Sequence, residues 1–194
     1  VKIHLKCIFL KKNNLKKILN QYKPFFTFLI NFGLFYLIFA FLYSSFLNQY
    51  DTTKYELDAI TQAVSDQTFY VMKFFGEDYK VLPHESEAST KVIYKGKYLA
   101  RIIEGCNAIS VIILFAAFVF AFASNWLKTI SYILLGSILI YFLNIVRIIL
   151  LVKAIYFYPE YQEFLHGTIF PLFIYGVVFV LWIIWVTKFS KYAK

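Results

Sequence analysis

The chain has 194 residues, 60% of them apolar and 22% aromatic, with a mean hydropathy of +0.63. Only 16% are charged, where a soluble domain carries roughly 25%. These figures exclude a disordered chain, a coiled coil and an ordinary soluble domain, and they make lipid the natural solvent for so much apolar surface.

The first 23 residues contain seven lysines and no acid. No small-residue cleavage site follows the next apolar run, which is also too long for a signal-peptide core, so a retained anchor is expected. Residues 25–47 carry no charge and follow Pro24, a residue tolerated in the first turn of a helix. They predict a first membrane span. In residues 49–103, Thr53-Lys-Tyr-Glu56 has the form of a capping box. Leu57, Ile60, Val64, Val71 and Phe75 keep a roughly helical spacing after it, and Gly76 suits a helix stop. Short β-type runs follow at 80–82, 91–94 and 98–103, the last two separated by the hairpin-like Lys95-Gly96-Lys97.

A second span is predicted over 109–123, made long enough by starting near Gly105 and Cys106. A third covers 130–152, interrupted by Asn144 and Arg147, and a fourth covers 168–187. The turn at 124–128 joins the second and third. The expected fold is an all-α integral membrane protein with four transmembrane helices and a small α+β extracytoplasmic insertion between the first and second. The corresponding divisions are a basic cytoplasmic segment (1–23), the first span (24–48), the inserted loop domain (49–103), a three-helix membrane core (104–188) and a cytoplasmic tail (189–194).

Lysine placement sets the orientation. The net charge of +9 is concentrated in the two ends, whereas residues 49–103 hold seven basic and eight acidic residues. Both ends are therefore expected on the cytoplasmic side, and the excess positive charge marks topology rather than nucleic-acid binding.

Polar and reactive residues inside lipid are costly, which makes each a functional candidate. Arg147 is predicted five residues before the outer end of its span, with Asn144 on the same helical face. A structural alternative is an arginine that snorkels to a lipid phosphate. Cys106 follows Gly105 at a helix entrance, where free amides and the dipole favour a thiolate. Glu104 opposes that charge unless Arg147 or Arg101 neutralises it. Asn107 and Ser110 are polar in an otherwise apolar stretch. His166 stands at the entrance of the fourth span, followed by Gly167 and Thr168. His84 falls in a polar loop and is expected to face water, while His4 and Cys7 belong to the cytoplasmic end. With Cys7 and Cys106 on opposite faces, no disulfide is expected.

A thiol, a guanidinium and an imidazole thus reach one leaflet. Together they suit acyl transfer, with Cys106 as nucleophile, His166 as proton carrier and Arg147 as oxyanion stabiliser. No metal or cofactor is required by this chemistry.

Glu104-Gly-Cys-Asn-Ala-Ile-Ser110, Asn144-Ile-Val-Arg147 and Phe164-Leu-His166-Gly167, in that order, resemble the exosortase/archaeosortase family, especially its short F-type members. The likeness is strong from about Arg101 to Trp185 and mainly one of layout before that. Many members read Cys-Ser-Gly or Cys-Thr-Gly where this chain has Cys106-Asn107-Ala108, and many have more spans. The resemblance implies a membrane cysteine transpeptidase with Cys106, Arg147 and His166 as its catalytic residues and Glu104, Asn107, Ser110 and Asn144 supporting substrate or site. It also implies a multi-pass protein of the bacterial cytoplasmic (inner) membrane with an outward-facing site. Its partners would be membrane lipid and exported proteins ending in a sorting tail of motif, helix and basic cluster. Two other classes compete: a non-catalytic assembly or lipid-binding subunit, and a small transporter, which the lack of visible inverted repeats disfavours.

Overall fold

The computed structural model describes residues 22–190. The basic stretch 1–21, with His4 and Cys7, and the tail residues 191–194 lie outside the described residues. Helix α1 (Lys23–Leu47) has Pro24 in its first turn and no fully buried residue. It leans on a later apolar helix through ring stacking, Phe28 on Phe122 at 4.5 Å and Phe35 on Phe120 at 4.7 Å between centroids.

The capping box at Thr53 and Glu56 does not start a helix. A 3-10 turn covers Thr52–Lys54, Asp51 Oδ1 accepts the Thr53 amide at 2.9 Å, and Glu56 Oε2 accepts the Asp51 amide at 2.9 Å. Tyr55 then takes a left-handed conformation, φ 60°, which ends the turn. Helix α2 (Ala59–Phe74) begins instead at Asp58, whose carboxylate accepts from Ile60 N at 3.1 Å and Thr61 N at 2.9 Å. Its buried stripe is Thr61, Val64, Ser65, Thr68 and Met72. The apolar series foreseen from sequence shares only Val64 with it, and Phe75 is exposed. Small hydroxyl residues let the helix sit close to its neighbours, with Ser65 bonded to Thr90 at 3.2 Å. Gly76, at φ 70°, ends the helix as expected.

Three antiparallel strands follow, β1 (Tyr79–Pro83), β2 (Thr90–Tyr94) and β3 (Lys97–Ile102), in the order β1-β2-β3. The hairpin between β2 and β3 turns on Lys95 and Gly96 alone, at φ 49° and 75°, because Lys97 already pairs with Tyr94. His84, in the β1–β2 loop, accepts the Ser86 amide through Nδ1 at 3.3 Å instead of facing only water.

After a 3-10 turn at Glu104–Cys106, helix α3 runs over Ile109–Ala121, 13 residues. It does not extend back to Gly105, because Ala108 adopts φ 66° and breaks the helical path. Helix α4 (Trp126–Phe157) has 32 residues and is capped by Asn125, so Lys128 lies in its first turn. It outruns the predicted span at both ends. Its last turns are covered by the insertion: Ile148 and Val152 share a core with Val64, Met72, Val92, Tyr94 and Ile102. Lys153 is held there by Glu77 at 2.5 Å, which removes the charge that would otherwise end an apolar helix. Gly136 makes the crossing with α3 possible, since a Cβ there would stand 2.4 Å from the ring of the fully buried Phe115.

The final helical segment, α5 (Pro159–Phe189), is not uniform. A 3-10 turn at Pro159–Tyr161 leads into a π turn at Leu165–Ile169, in which Phe170 N–H donates to Leu165 O, and regular helix resumes over Phe170–Ile184. Helices α1, α4 and α5 are long and apolar enough to cross a membrane, while α3 is a shorter apolar helix. Leu37, Phe41, Leu135, Ile138, Leu172 and Phe179 point outward on the three long helices. An apolar outer surface of that extent marks a mostly helical membrane protein.

Candidate active site

The turn that carries Cys106 is fixed from both sides. Cys106 N–H donates to Ile103 O at 2.8 Å and Asn107 N–H to Glu104 O at 3.3 Å, which folds the end of β3 into a single tight turn. Asn107 is buried, and its Oδ1 accepts the Ile109 amide at 3.0 Å. The first free amide of α3 is therefore capped by Asn107 rather than left to the thiol. Asn107 Nδ2 donates to Tyr43 Oη at 2.8 Å and to Thr61 Oγ1 at 3.0 Å, which ties the turn to α1 and α2. From the opposite side, buried Asn144 of α4 donates through Nδ2 to Cys106 O at 2.7 Å.

Arg147 lies one helical turn beyond Asn144 and donates through Nη1 to Asn144 Oδ1 at 3.4 Å. Its Nε is buried without a hydrogen-bond partner. A buried donor left unmatched is costly, so this guanidinium holds hydrogen-bonding capacity in reserve. His166 comes from the π turn of α5 and is exposed. Cys106, Arg147 and His166 border the same cavity, of about 340 Å³. Gln162, one turn before His166, and Arg101 and Tyr98 of β3 add polar groups to the lining, while Leu99, Ala100 and Ile102 of β3 with Ile148, Leu151, Val152 and Ile155 of α4 supply apolar walls.

Two of the other sequence candidates, Glu104 and Ser110, lie elsewhere. Glu104 accepts from Tyr43 Oη at 3.0 Å and, with Ser110, borders a separate cavity of about 150 Å³. Neither arginine neutralises Glu104: Arg101 is paired with Glu87, and Arg147 faces Asn144. Asn107 and Asn144 hold the backbone around the thiol. Among the described residues no group of three or more His, Cys, Asp or Glu is arranged to hold a metal ion.

Residues 24–186 match the family described as transmembrane exosortase. The chain belongs to that family. No curated protein and no solved structure matches it. The match to the exosortase family begins in the first turn of α1 and ends within the last turn of α5, so every residue that lines the cavity lies inside it.

Three residues that border or brace this cavity, Gln162, Tyr43 and Thr61, were not foreseen. Gln162 stands four before His166, a helical spacing that would have placed it on the same face. Tyr43 and Thr61 reach the site only through tertiary contact, and a sequence carries no local signal for that. Gly105 and Gly167 flank the thiol and the imidazole with no heavy atom near the place a Cβ would occupy.

Proposed function

We propose that the chain is a membrane cysteine transpeptidase or protease that cleaves C-terminal sorting tails of exported proteins at the outer face of the cytoplasmic membrane. What supports this reading is that thiol, guanidinium and imidazole border one cavity within a chain of the exosortase family. The Cys106 thiolate attacks the scissile carbonyl carbon while His166 holds the thiol proton. Negative charge then gathers on the carbonyl oxygen, where Arg147 provides donors without rearrangement. The C–N bond breaks, His166 returns the proton to the leaving amine, and the acyl group stays on sulfur as a thioester. An incoming amine, hydroxyl or water releases it by the reverse sequence.

The topology that fits is four crossings, both ends cytoplasmic and the insertion outside. Helix α4 measures about 48 Å at 1.5 Å per residue, while the hydrocarbon is about 30 Å thick. Arg147 stands about 32 Å along it from Trp126. With Trp126 at the inner boundary, Arg147 lies at the outer boundary and the last turns project beyond it into the insertion. A helix of 13 residues crosses only about 20 Å, and the turn before α3, braced by side-chain hydrogen bonds, spans the remainder.

An exported reporter carrying a sorting tail of motif, helix and basic cluster tests the reaction. Wild type removes the tail, whereas Cys106→Ala at matched protein level leaves it intact. Full processing by Cys106→Ala overturns the nucleophile assignment and leaves an assembly or lipid-binding subunit. Lys97→Cys in a Cys7→Ser, Cys106→Ala background, labelled on intact cells by a membrane-impermeant thiol reagent, tests the topology. Labelling only after lysis overturns it.

A further inference from the structure

β3 is the last strand of its sheet, so one of its edges has no strand beside it. All of residues 98–102 border the cavity that holds Cys106. Side chains alternate between the two faces of a strand apart from the bulge at Leu99, which stands between the pairs Tyr98–Ile93 and Ala100–Val92, and a cavity lying on one face would still not meet all five residues. Five consecutive residues are met where the cavity runs along the strand's edge. Among the described residues, no main-chain hydrogen bond outside the sheet engages 98–102. A row of main-chain donors and acceptors therefore faces the cavity, and the chain passes from its end at Ile102 directly into the turn of Cys106.

We propose that this edge is a docking strand for an extended peptide. The segment around the scissile bond lies beside residues 98–102 as an added strand, which brings its carbonyl carbon to Cys106 Sγ. The proposal rests on the reading of Cys106 as a nucleophile toward peptide bonds and adds the conformation in which that peptide is held. The physical need is clear. A chain emerging from lipid as a helix has its amides bonded to one another, and its carbonyls become open to attack only when that helix unwinds. Unwinding strands polar groups at the edge of the hydrocarbon, and β3 offers them partners at that level. Main-chain pairing tolerates many sequences, while Leu151 and Ile155 on the cavity wall receive alternate side chains.

The test uses the full chain in detergent micelles and follows alkylation of Cys106 by mass spectrometry. Two reagents share a warhead type, acetyl-Ala-Ala-Ala-chloromethyl ketone and chloroacetone, and each rate is normalised to N-acetylcysteine. Edge pairing accelerates the peptidyl reagent by about tenfold or more over chloroacetone, and N-methylation of its amides removes most of that gain. Rapid but equal alkylation by both reagents overturns the docking edge and leaves the nucleophile reading standing. If neither reagent outpaces its reaction with N-acetylcysteine, the nucleophile reading fails. The edge is then decided on its own by amide hydrogen exchange in Cys106→Ala. Saturating acetyl-Val-Ala-Val-Ala-Val-Ala-amide slows exchange within residues 98–102 by about tenfold if it pairs there. Unchanged exchange overturns the proposal.

Discussion

Asn144 Nδ2 donates to the carbonyl oxygen of Cys106 at 2.7 Å, so the turn bearing the thiol is fastened to the helix bearing Arg147. The same amide accepts from Arg147 through its oxygen, and one side chain thereby sets the spacing of two site residues.

Asn144→Ala should leave the Cys106 carbonyl and the Arg147 guanidinium each short of a partner. A loss of about 1–3 kcal/mol in stability is expected, together with a fall in tail processing of about tenfold or more. Asn144→Asp should be no better, because a carboxylate places an acceptor against the Cys106 carbonyl. Reporter cleavage at matched protein level, with thermal unfolding in micelles, checks both.

Arg147→Lys should reduce processing nearly as far as Arg147→Ala. A compact ammonium does not reproduce a planar fork that holds Asn144 with one nitrogen and, in the proposed reaction, offers others to the oxyanion. Cleavage rates of the two variants in one membrane preparation provide the comparison, and substantial activity in Arg147→Lys would contradict the oxyanion role.

Ala108 sits at φ 66°, in the well where a Cβ is strained. Ala108→Gly should be tolerated, whereas Ala108→Val, branched and buried at the same backbone angle, should cost about 2 kcal/mol or more. Denaturant midpoints of the two variants in a common detergent separate them.

Gly136→Ala places a methyl group where the Phe115 ring stands, within 2.4 Å of Cζ. Because that ring is fully buried, a loss of about 1–3 kcal/mol is expected. Adding Phe115→Leu should recover part of it, and the double-variant comparison of melting temperatures measures the coupling.

The Glu77 carboxyl is held below the ordinary carboxylate range by Lys153 and, next, by the hydroxyl of Tyr94. A carboxyl depressed in the folded protein adds stability above its unfolded value of about 4.3, and that contribution disappears as pH falls through the lowered value. Tyr94 is pushed up to about 12 by burial and by Glu77, so its contribution is present below about pH 10 and disappears toward pH 12. Unfolding of Glu77→Gln should therefore depend less on pH than wild type between pH 3 and 5, as read from melting curves across that range.

Much of the architecture was legible because its signals are local. Uncharged runs marked α1 and α5, Lys95-Gly96 marked the hairpin, and Gly76 marked the end of α2. The start of α2 was missed because Thr53 and Glu56 imitate a capping box while the carboxylate of Asp58 performs the capping. Its buried face was missed because Thr61, Ser65 and Thr68 have no hydrophobic period and are covered only through contact with other elements. The length of α4 depends on the insertion folding over Val152 and Lys153, which no window of α4 contains. The spacing of three motifs singled out Cys106, Arg147 and His166, and these three side chains border one cavity. The distribution of Glu104 and Ser110 to another cavity depends on Tyr43, sixty-one residues from Glu104 along the chain.

The π turn at Leu165–Ile169 changes the phase of α5. In an unbroken α-helix, His166, Phe170 and Ile174 would share one face at intervals of four residues. Here Phe170 and Ile174 are buried, while His166 is exposed and borders the cavity. The wider turn holds one residue more than an α turn, which sets every residue after it back by about 100° relative to an unbroken helix of the same sequence. A single-residue deletion within 167–169 would close the turn to a regular α turn and leave its two flanks at nearly their present angle, whereas a variant that drew the same residues into an unbroken helix would rotate the imidazole against Phe170 and Ile174 by about 100°, the angle of one helical residue. The first chain keeps its histidine turned to the cavity and the second does not, so the direction of that side chain depends on how one turn is wound and not on how many residues the helix has.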